Sequence, residues 1–246
     1  MIIYGKNPVK EALYQPSSKI EEILISKDGE KERLYEILKL AEEKKIKISF
    51  LPREALSRIS DTSHHQGIVA RVSEFEYKEV DQILSYAKEK RERLFLVILD
   101  HIEDPQNLGG IIRTDNILGA HGVVIPKDRA ASVTSSVIKA SAGAAWFVRI
   151  ARVVNLVTTI RDLKKRGVWV VGADPSAPKS VFEGDFGRLD LALVIGGEGK
   201  GLKRLVREEC DFLVSIPGVG EVASLNASVA AGIMIYEIVR QRGIKT

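Results

Sequence analysis

The chain has 246 residues, of which 45% are hydrophobic and 28% are charged. This is ordinary globular usage, so the composition excludes extended disorder, collagen-like chains and coiled-coil arrays, and the length fits one or two domains. A net charge of +4 permits a nucleic-acid partner without requiring one, while an aromatic content of 6% disfavours RNA modules that read bases by extensive stacking.

The sequence gives no support for disulfide, metal or membrane chemistry. Cys210 is the lone cysteine, and no CxxC or HxxxH pattern occurs among it and the four histidines. The longest apolar runs, 94–99 and 191–195, are far shorter than the roughly 18 residues that a membrane helix needs. Residues 1–5 lack the layout of a signal peptide. We therefore expect a soluble, cytoplasmic protein with no metal and no membrane partner.

In the N-terminal part, short apolar runs rich in β-branched residues alternate with helical patterns. The predicted strands are 23–25, 46–50 and 68–72, and the predicted helices are 31–44 and 52–59. This pattern predicts a small α/β domain over residues 1–73. A linker is expected over residues 74–93, because a short predicted helix at 81–87 is followed by the charge run 88–93.

The rest of the chain, residues 94–246, contains five near-continuous apolar runs separated by helical patterns. The runs are 94–100, 122–125, 168–172, 191–195 and 212–216. Strands that are apolar on both faces belong in the middle of a parallel sheet covered by helices. We therefore predict an α/β domain with a parallel sheet, whose ligand site lies in the loops that follow the carboxyl ends of the strands.

The loop after the first of these strands contains a strong helix start. Asp104 is a good N-cap, Pro105 suits the first helical position, and the helix is predicted to end near Gly119. Two glycines inside this helix cost about 1 kcal/mol each relative to alanine, so they indicate close approach by a ligand or another backbone. Arg113 shares a face with Gly110 and would overlook the resulting notch. A tightly packed helix with Arg113 in a surface ion pair explains the spacing equally well.

The loop after the fourth strand is rich in glycine and precedes a predicted helix at 202–210. A turn of this kind exposes main-chain N–H groups and usually binds a ligand. The spacing of Gly197, Gly199 and Gly201 fits neither a phosphate P-loop nor the GxGxxG dinucleotide fingerprint. Glu198 is then an unshielded carboxylate with a functional role, or, alternatively, a turn glutamate that caps a helix.

The loop after the fifth strand leads into a predicted helix that extends through 236–240. Ser224 and Asn226 are both good N-caps, so helix initiation is the structural explanation for each. The following residues, 229–233, are small and apolar. Such a helix can pack closely against a knotted backbone or a partner subunit.

Together the three loops resemble, in order, the three motifs of the SpoU (TrmH-like) family of RNA ribose 2′-O-methyltransferases, within the SPOUT superfamily. The matching segments are DHIEDPQNLGGIIRT, LVIGGEGKGL and IPGVGEVASLNASVAAGI, and the similarity covers residues 94–240. The N-terminal part, including HHQGIV at 64–69, is similar to the ribosomal-protein-like RNA-binding domain of the RlmB-type subgroup. That subgroup methylates a guanosine of 23S rRNA.

The resemblance implies a deep trefoil knot at the C-terminal end of the fold, S-adenosylmethionine as cofactor, RNA as substrate, and a homodimer whose active site uses both subunits. The implied catalytic residues are Asn107, Arg113, Glu198, Ser224 and Asn226. The implied cofactor-binding residues are Ala173, Gly196, Gly197, Ile216 and Leu225. The sequence departs from the family pattern at Asp115, where a small residue is usual, and at Ala227, where valine is usual, so local packing is expected to differ there.

The implied reaction moves a methyl group from the sulfonium of the cofactor to a ribose 2′-hydroxyl. In this hypothesis Arg113 holds an RNA phosphate and stabilises the developing alkoxide, because an arginine stays charged in proteins. Three alternatives remain open. They are ribose methylation of tRNA, a non-catalytic RNA-binding or ribosome-assembly protein, and an ordinary nucleotide-dependent dehydrogenase, which would need the missing GxGxxG.

Overall fold

The computed structural model describes residues 1–15, 19–28, 34–199, 201–221 and 224–243. The strands are β1 (Ile2–Tyr4), β2 (Ile20–Ser26), β3 (Lys47–Leu51), β4 (Ile68–Val72), β5 (Phe95–Asp100), β6 (Gly122–Pro126), β7 (Ile150–Val153), β8 (Trp169–Ala173), β9 (Leu191–Gly196) and β10 (Phe212–Val214). The helices are α1 (Lys6–Tyr14), α2 (Tyr35–Glu43), α3 (Arg53–Ser60), α4 (Val80–Glu89), α5 (Pro105–Leu118), α6 (Ser135–Ala140), α7 (Leu156–Lys165), α8 (Arg204–Glu209) and α9 (Ala227–Arg242). The chain divides into two compact units, Met1–Glu76 with Val133–Phe147, and Tyr77–Ser132 with Val148–Thr246.

The first unit is built on a four-stranded sheet in the order β1-β4-β2-β3. Strand β4 runs antiparallel to β1 and β2, whereas β2 and β3 are parallel and are connected through α2. Leu24, Leu56 and Val69 pack together in a buried cluster on this sheet. The predicted α/β character of the N-terminal part is confirmed, and β1 and α1 add to the predicted elements. The start of the predicted helix 31–44 lies outside the described residues.

Residues 133–147 belong to the first unit, although the sequence analysis places them in the C-terminal domain. Helix α6 in this segment buries Val137 and Ile138. Gly143 has a φ of 91°, and a Cβ atom built on it would lie 2.6 Å from the Cβ of Glu11 in α1. The segment therefore packs closely against α1, a contact between distant parts of the chain that local patterns do not report.

The segment 74–93, expected to be a linker, contains helix α4, which belongs to the second unit. Its side chains Ile83 and Ala87 are buried in the core of that unit. The Lys78 amide also donates a hydrogen bond to the Ile150 carbonyl at 2.8 Å. Because the apolar face of α4 is covered in this way, the second unit begins well before residue 94.

The second unit contains a six-stranded sheet in the order β10-β8-β9-β5-β6-β7, and every pairing in it is parallel. This confirms the predicted parallel α/β fold. Strand β7 is not among the predicted strands. It has only four residues, two of which are buried, so it gives no long apolar run in the sequence. Helices α4, α7 and α8 cover one face of the sheet, and α5 and α9 pack against each other on the opposite face.

Helices α5 and α9 approach each other closely where α5 has a glycine. A Cβ atom built on Gly110 would lie 3.2 Å from the Cβ of Ser228, so the glycine admits the backbone of α9. At the other end of α9, the Arg242 guanidinium donates hydrogen bonds of 2.7 to 2.8 Å to three main-chain carbonyls. The acceptors are Arg93, Leu94 and Leu189. Both contacts hold α9 along the sheet.

Within the described ranges, no helix combines the length and the apolar character that crossing a membrane requires. In the same part of the chain, the His, Cys, Asp and Glu side chains form no group of three or more that could hold a metal ion. Burial raises the pKa of the Cys210 thiol to about 12. Since the thiolate is the reactive form, this cysteine is chemically inert at neutral pH.

Candidate active site

Three of the predicted cofactor-binding residues lie along one edge of the sheet. Ala173 ends β8, Gly196 ends β9, and Ile216 follows β10 by two residues. Strands β10, β8 and β9 are neighbours and parallel, so their carboxyl ends meet at this edge. This is the edge at which parallel α/β sheets bind ligands.

The first predicted loop forms as expected, with Asp104 as the N-cap of α5. Its carboxylate accepts hydrogen bonds from the amides of Gln106 at 3.2 Å and Asn107 at 3.1 Å, and Pro105 begins the helix. Gly119 ends the helix with a φ of 79°. The cap therefore places Asn107 in the first turn of α5, where its side chain is buried.

One side chain from each predicted loop meets in a hydrogen-bonded group, which we call the amide–carboxylate cluster (Asn107, Glu198 and Asn226). Glu198 Oε1 accepts from Asn107 Nδ2 at 2.6 Å and from Asn226 Nδ2 at 2.7 Å. Asn226 Nδ2 also donates to Asn107 Oδ1 at 2.9 Å. The tertiary structure thus joins residues separated by 91 and 119 positions along the chain.

Asn226 caps α9 and also takes part in the cluster. As N-cap of α9, its Oδ1 accepts hydrogen bonds from the amides of Ser228 at 2.9 Å and Val229 at 3.3 Å. Its Nδ2 belongs to the cluster. Glu198 has no capping role for α8, because that helix begins at Arg204 and its N-cap residue is Lys203. The two predicted functional side chains are thereby held together by charge-assisted bonds.

The glycine loop, residues 196–203, folds back on itself. The Gly201 amide donates to the Gly197 carbonyl at 3.0 Å, and the Gly197 amide donates to the Asp100 carbonyl at 3.1 Å. A Cβ atom on Gly196 would lie 2.2 Å from the Gly201 carbonyl carbon, and one on Gly197 would lie 2.7 Å from the His101 carbonyl oxygen. These two glycines therefore permit main-chain contact inside the protein, and the Gly197 amide is already paired.

Arg113 and Ser224 lie outside the hydrogen-bonded cluster. Both side chains are exposed, and neither forms a hydrogen bond or an ion pair with any other residue that the structure describes. Arg113 lies one turn after Gly110 on α5. The surface ion pair that the sequence analysis left open for Arg113 is therefore absent from the described part of the chain. Its guanidinium is available to a ligand.

Two buried acidic residues near the site, Asp100 and Asp115, are not among the predicted site residues. Asp100 ends β5 and is 1% exposed. Its signal in the sequence is a charged residue that closes an apolar strand at the ligand-binding edge. Asp115 lies in α5, and burial raises its pKa to about 8. In the sequence, Asp115 was noted only because a small residue is usual at this position. The structure shows that its carboxyl group is completely buried.

Comparison with known proteins identifies the family. Residues 94–236 match the SpoU rRNA methylase family, and residues 2–78 match the family described as RNA 2′-O ribose methyltransferase substrate binding. YacO of Bacillus subtilis (strain 168), which is assigned to the TrmH family of tRNA/rRNA methyltransferases, is 47% identical over 240 residues. That alignment covers 98% of this chain and 95% of YacO.

Two solved structures are similar over nearly the whole chain. The SpoU methyltransferase AviRb from Streptomyces viridochromogenes, in complex with the cofactor AdoMet, has a TM-score of 0.82 at 27% identity, with 98% of this chain and 90% of AviRb covered. An AdoMet-bound rRNA methyltransferase from Sinorhizobium meliloti has a TM-score of 0.81 at 25% identity, with 97% and 86% covered. The parallel fold, the two matched segments and the identity to YacO agree. The chain therefore belongs to the SpoU rRNA methylase family and is an RNA methyltransferase of the SPOUT superfamily.

Proposed function

We propose that this chain uses S-adenosylmethionine to methylate the ribose 2′-hydroxyl of a guanosine in 23S rRNA. The observation that carries the proposal is the amide–carboxylate cluster, which brings one side chain from each of three distant loops to the ligand-binding edge of the sheet. Arg113, exposed and unpaired within the described residues, lies on the same helix as Asn107. A carboxylate, two amides and a free guanidinium suit a ribose and its phosphate.

The edge formed by Ala173, Gly196 and Ile216 fits S-adenosylmethionine. In the loop after β10, a Cβ atom built on Gly218 or Gly220 would have no atom of the described residues within 4 Å, so the space beside these two glycines is open to a ligand. Leu225 is 49% exposed and offers an apolar contact for an adenine ring. Main-chain groups of the three edge residues and the side chain of Leu225 would hold the cofactor, and Gly197 would shape the adjoining loop. When bound, the cofactor supplies a methyl group on a positively charged sulfur.

The residues of this chain orient the acceptor ribose. Oxygen Oε1 of Glu198 already accepts two amide hydrogen bonds, and Oε2 makes none with the residues that the structure describes. We assign Oε2 to a ribose hydroxyl, with Asn107 and Asn226 fixing the orientation of the carboxylate. Arg113 binds the adjacent phosphate, and the exposed Ser224 hydroxyl contributes a further contact to the nucleotide. Correct orientation of this kind supplies a large part of the rate of a two-substrate reaction.

The proposed step forms one bond and breaks one bond. The ribose O2′ atom bonds to the methyl carbon, and the bond between that carbon and sulfur breaks with its electron pair going to sulfur. The hydroxyl proton is released to the solvent, and Arg113 does not accept it because an arginine remains protonated in proteins. Arg113 stabilises the negative charge that builds on O2′ in the transition state.

A homodimer is part of the proposal. Helices α5 and α9 leave several large apolar side chains exposed. Among them Ile117 is 70% exposed, Val229 is 49% exposed and Tyr236 is 51% exposed. Large apolar side chains exposed on two neighbouring helices favour an interaction site there. Sedimentation velocity should give a dimer for the unmodified protein and a monomer for Tyr236→Lys.

The trefoil knot is proposed on related grounds. After β10 at the edge of the sheet, the chain returns to pack α9 against β9 and α5. A return of this kind, close to the glycine loop, is consistent with a threaded C-terminal segment.

The substrate proposal is tested by mapping the product. The protein is incubated with methyl-labelled S-adenosylmethionine and with separate, unmodified 23S rRNA and tRNA pools, and the RNA is then cleaved with alkali. Alkali cuts RNA through a free 2′-hydroxyl, so one new protected linkage after a guanosine of 23S rRNA is the expected result. A protected linkage in tRNA would move the substrate assignment to tRNA. Label on a base would refute ribose methylation.

The role of Arg113 is tested in the same assay with Arg113→Lys. A lysine cannot reproduce bidentate contact with a phosphate, so turnover should fall by roughly 100-fold while cofactor affinity stays within about twofold. Arg161→Lys is the matched control, because Arg161 is an exposed arginine on α7 that pairs with Glu209. Unchanged turnover in Arg113→Lys would remove Arg113 from the mechanism.

A further inference from the structure

Asp100 contacts the glycine loop at two separate points. Its carbonyl oxygen accepts a hydrogen bond from the Gly197 amide at 3.1 Å, near the start of the loop. Its side-chain Oδ2 accepts from the Lys203 amide at 2.6 Å, at the end of the loop. The other carboxylate oxygen, Oδ1, contacts Nδ1 of His101. A single residue thus holds both ends of the loop.

The loop between these two contacts carries Glu198. Apart from the Asp100 contacts, the described part of the loop is closed by the bridge between Gly197 and Gly201. Glu198 is therefore placed by the path of the main chain, and its side chain reaches Asn107 and Asn226 only while that path is kept. Leu202 is buried in the core near the end of the loop, whereas Gly199 and Gly201, which both have positive φ, add no side-chain packing around Glu198.

The Asp100 carboxylate is buried, and this makes its contact to the loop strong. The residue is 1% exposed, at the end of a strand that is buried along its whole length. A hydrogen bond from a main-chain amide to a carboxylate is stronger than one between neutral groups, and burial excludes competing water. Within the described residues, no other side chain accepts from the main-chain amides of the glycine loop.

We propose that Asp100 is a positioning residue for methyl transfer, which holds the glycine loop so that Glu198 stays in the amide–carboxylate cluster. The inference rests on the proposed function, in which Glu198 orients the ribose. Asp100 touches neither the ribose nor the cofactor in this role. It acts through the Lys203 amide, and the His101 imidazole is a neighbour of the carboxylate without a part in the reaction.

The kinetic test compares Asp100→Asn with a matched control. Asparagine has the shape of aspartate but no charge, so it can replace the charge-assisted hydrogen bond from the Lys203 amide only with a weaker neutral one. The control is Asp211→Asn, since the Asp211 carboxylate also accepts from one main-chain amide, Val170 at 2.9 Å, and one side-chain nitrogen, Lys164 at 2.8 Å. We expect kcat to fall by roughly 10- to 100-fold in Asp100→Asn with KM for RNA within about twofold, because small displacements of orienting groups have effects of this size. Asp211→Asn should keep kcat.

A second measurement does not depend on activity. Hydrogen exchange of the free protein, read by mass spectrometry on peptides that cover residues 196–203, reports how firmly the loop is held. In Asp100→Asn we expect exchange there to accelerate at least tenfold, with no change at Val170. Asp211→Asn should show the opposite pattern. If the unmodified protein methylated no RNA, the proposed function would fail while this measurement still tested the anchoring of the loop.

Two further variants keep the inference falsifiable. Lys203→Pro deletes the donor from the other side of the same hydrogen bond, and the φ of Lys203, −63°, suits proline. It should reproduce both effects of Asp100→Asn even if that variant does not fold. His101→Ala leaves the Lys203 bond in place and should keep kcat within about threefold. Unchanged kcat and exchange in Asp100→Asn, or loss of turnover in His101→Ala alone, would overturn the proposal.

Discussion

The buried carboxyl group of Asp115 should make the stability of this protein depend on pH in an unusual direction. Asp115 is fully buried on the same stripe of α5 as Leu108, Ile111 and Ile112, and neither of its oxygens has a hydrogen-bond partner among the described residues. Burial in these apolar surroundings raises its pKa from 3.8 to about 8. Near neutral pH the folded protein therefore holds a proton that the unfolded chain releases.

The direction in which the free energy of unfolding changes with pH follows from this difference in proton binding. Because the folded-state pKa lies above the unfolded one, the contribution to stability is complete below pH ~4 and is lost as the pH rises from ~4 to ~8. The slope is about 1.4 kcal/mol per pH unit for one proton. The free energy of unfolding should thus fall by about 3 kcal/mol between pH ~4 and ~6 and by about 5 kcal/mol by pH ~8, which is a large part of the 5–15 kcal/mol typical of a domain. Asp115→Asn has a similar shape and does not titrate.

The assay is urea unfolding of two proteins, one with Asp115 and one with Asp115→Asn, at pH 5, 6.5 and 8 and at one protein concentration. Both proteins carry Trp146→Phe, so that fluorescence comes from Trp169 in the second unit. The stability difference in favour of Asp115→Asn should grow with pH. Asp162→Asn, which alters an exposed carboxylate on α7, is the control and should show a constant difference. Parallel pH profiles for Asp115 and its asparagine variant would refute the argument from desolvation.

Two further predictions concern the glycine loop and the end of α9. In Gly197→Ala, the new Cβ atom would lie 2.7 Å from the His101 carbonyl oxygen, so the loop must shift. Methyl transfer in the labelled assay should fall at least tenfold. Normal turnover would show that the loop adapts. Arg242→Lys has one donor nitrogen in place of two and loses at least one of three hydrogen bonds to main-chain carbonyls. It should lower the urea unfolding free energy by about 1.5–3 kcal/mol, whereas an unchanged midpoint would contradict that role.

The local features of the sequence were sufficient to predict much of the second unit. The apolar runs became adjacent parallel strands, and the Asp104 cap with Pro105 begins α5 where the residue types favour it. These features depend on residues that are neighbours along the chain, because strand burial follows from continuous apolar runs and a cap from hydrogen bonds over two or three residues. The order of the three motifs also indicated the family.

Other features required the tertiary structure, since they join parts of the chain that local patterns treat separately. Residues 133–147 pack with α1, and α4 packs with the second unit, although the sequence suggested a different domain for the first and a linker for the second. The burial of Asp115 without a hydrogen-bond partner is also a property of what surrounds it, and the sequence showed only an unusual residue type.

For the candidate site too, the sequence predicted some features and the tertiary structure decided the others. The resemblance of the three motifs to the SpoU family nominated Asn107, Glu198 and Asn226, and the glycine-rich loop after a strand had already singled out Glu198. Their mutual hydrogen bonds, and the contact of Asp100 with both ends of the glycine loop, were decided only by the strand order β10-β8-β9-β5, which brings β9 beside β5. Strand order depends on how crossover connections pack around a shared core, and neither capping nor periodicity along the chain contains that information.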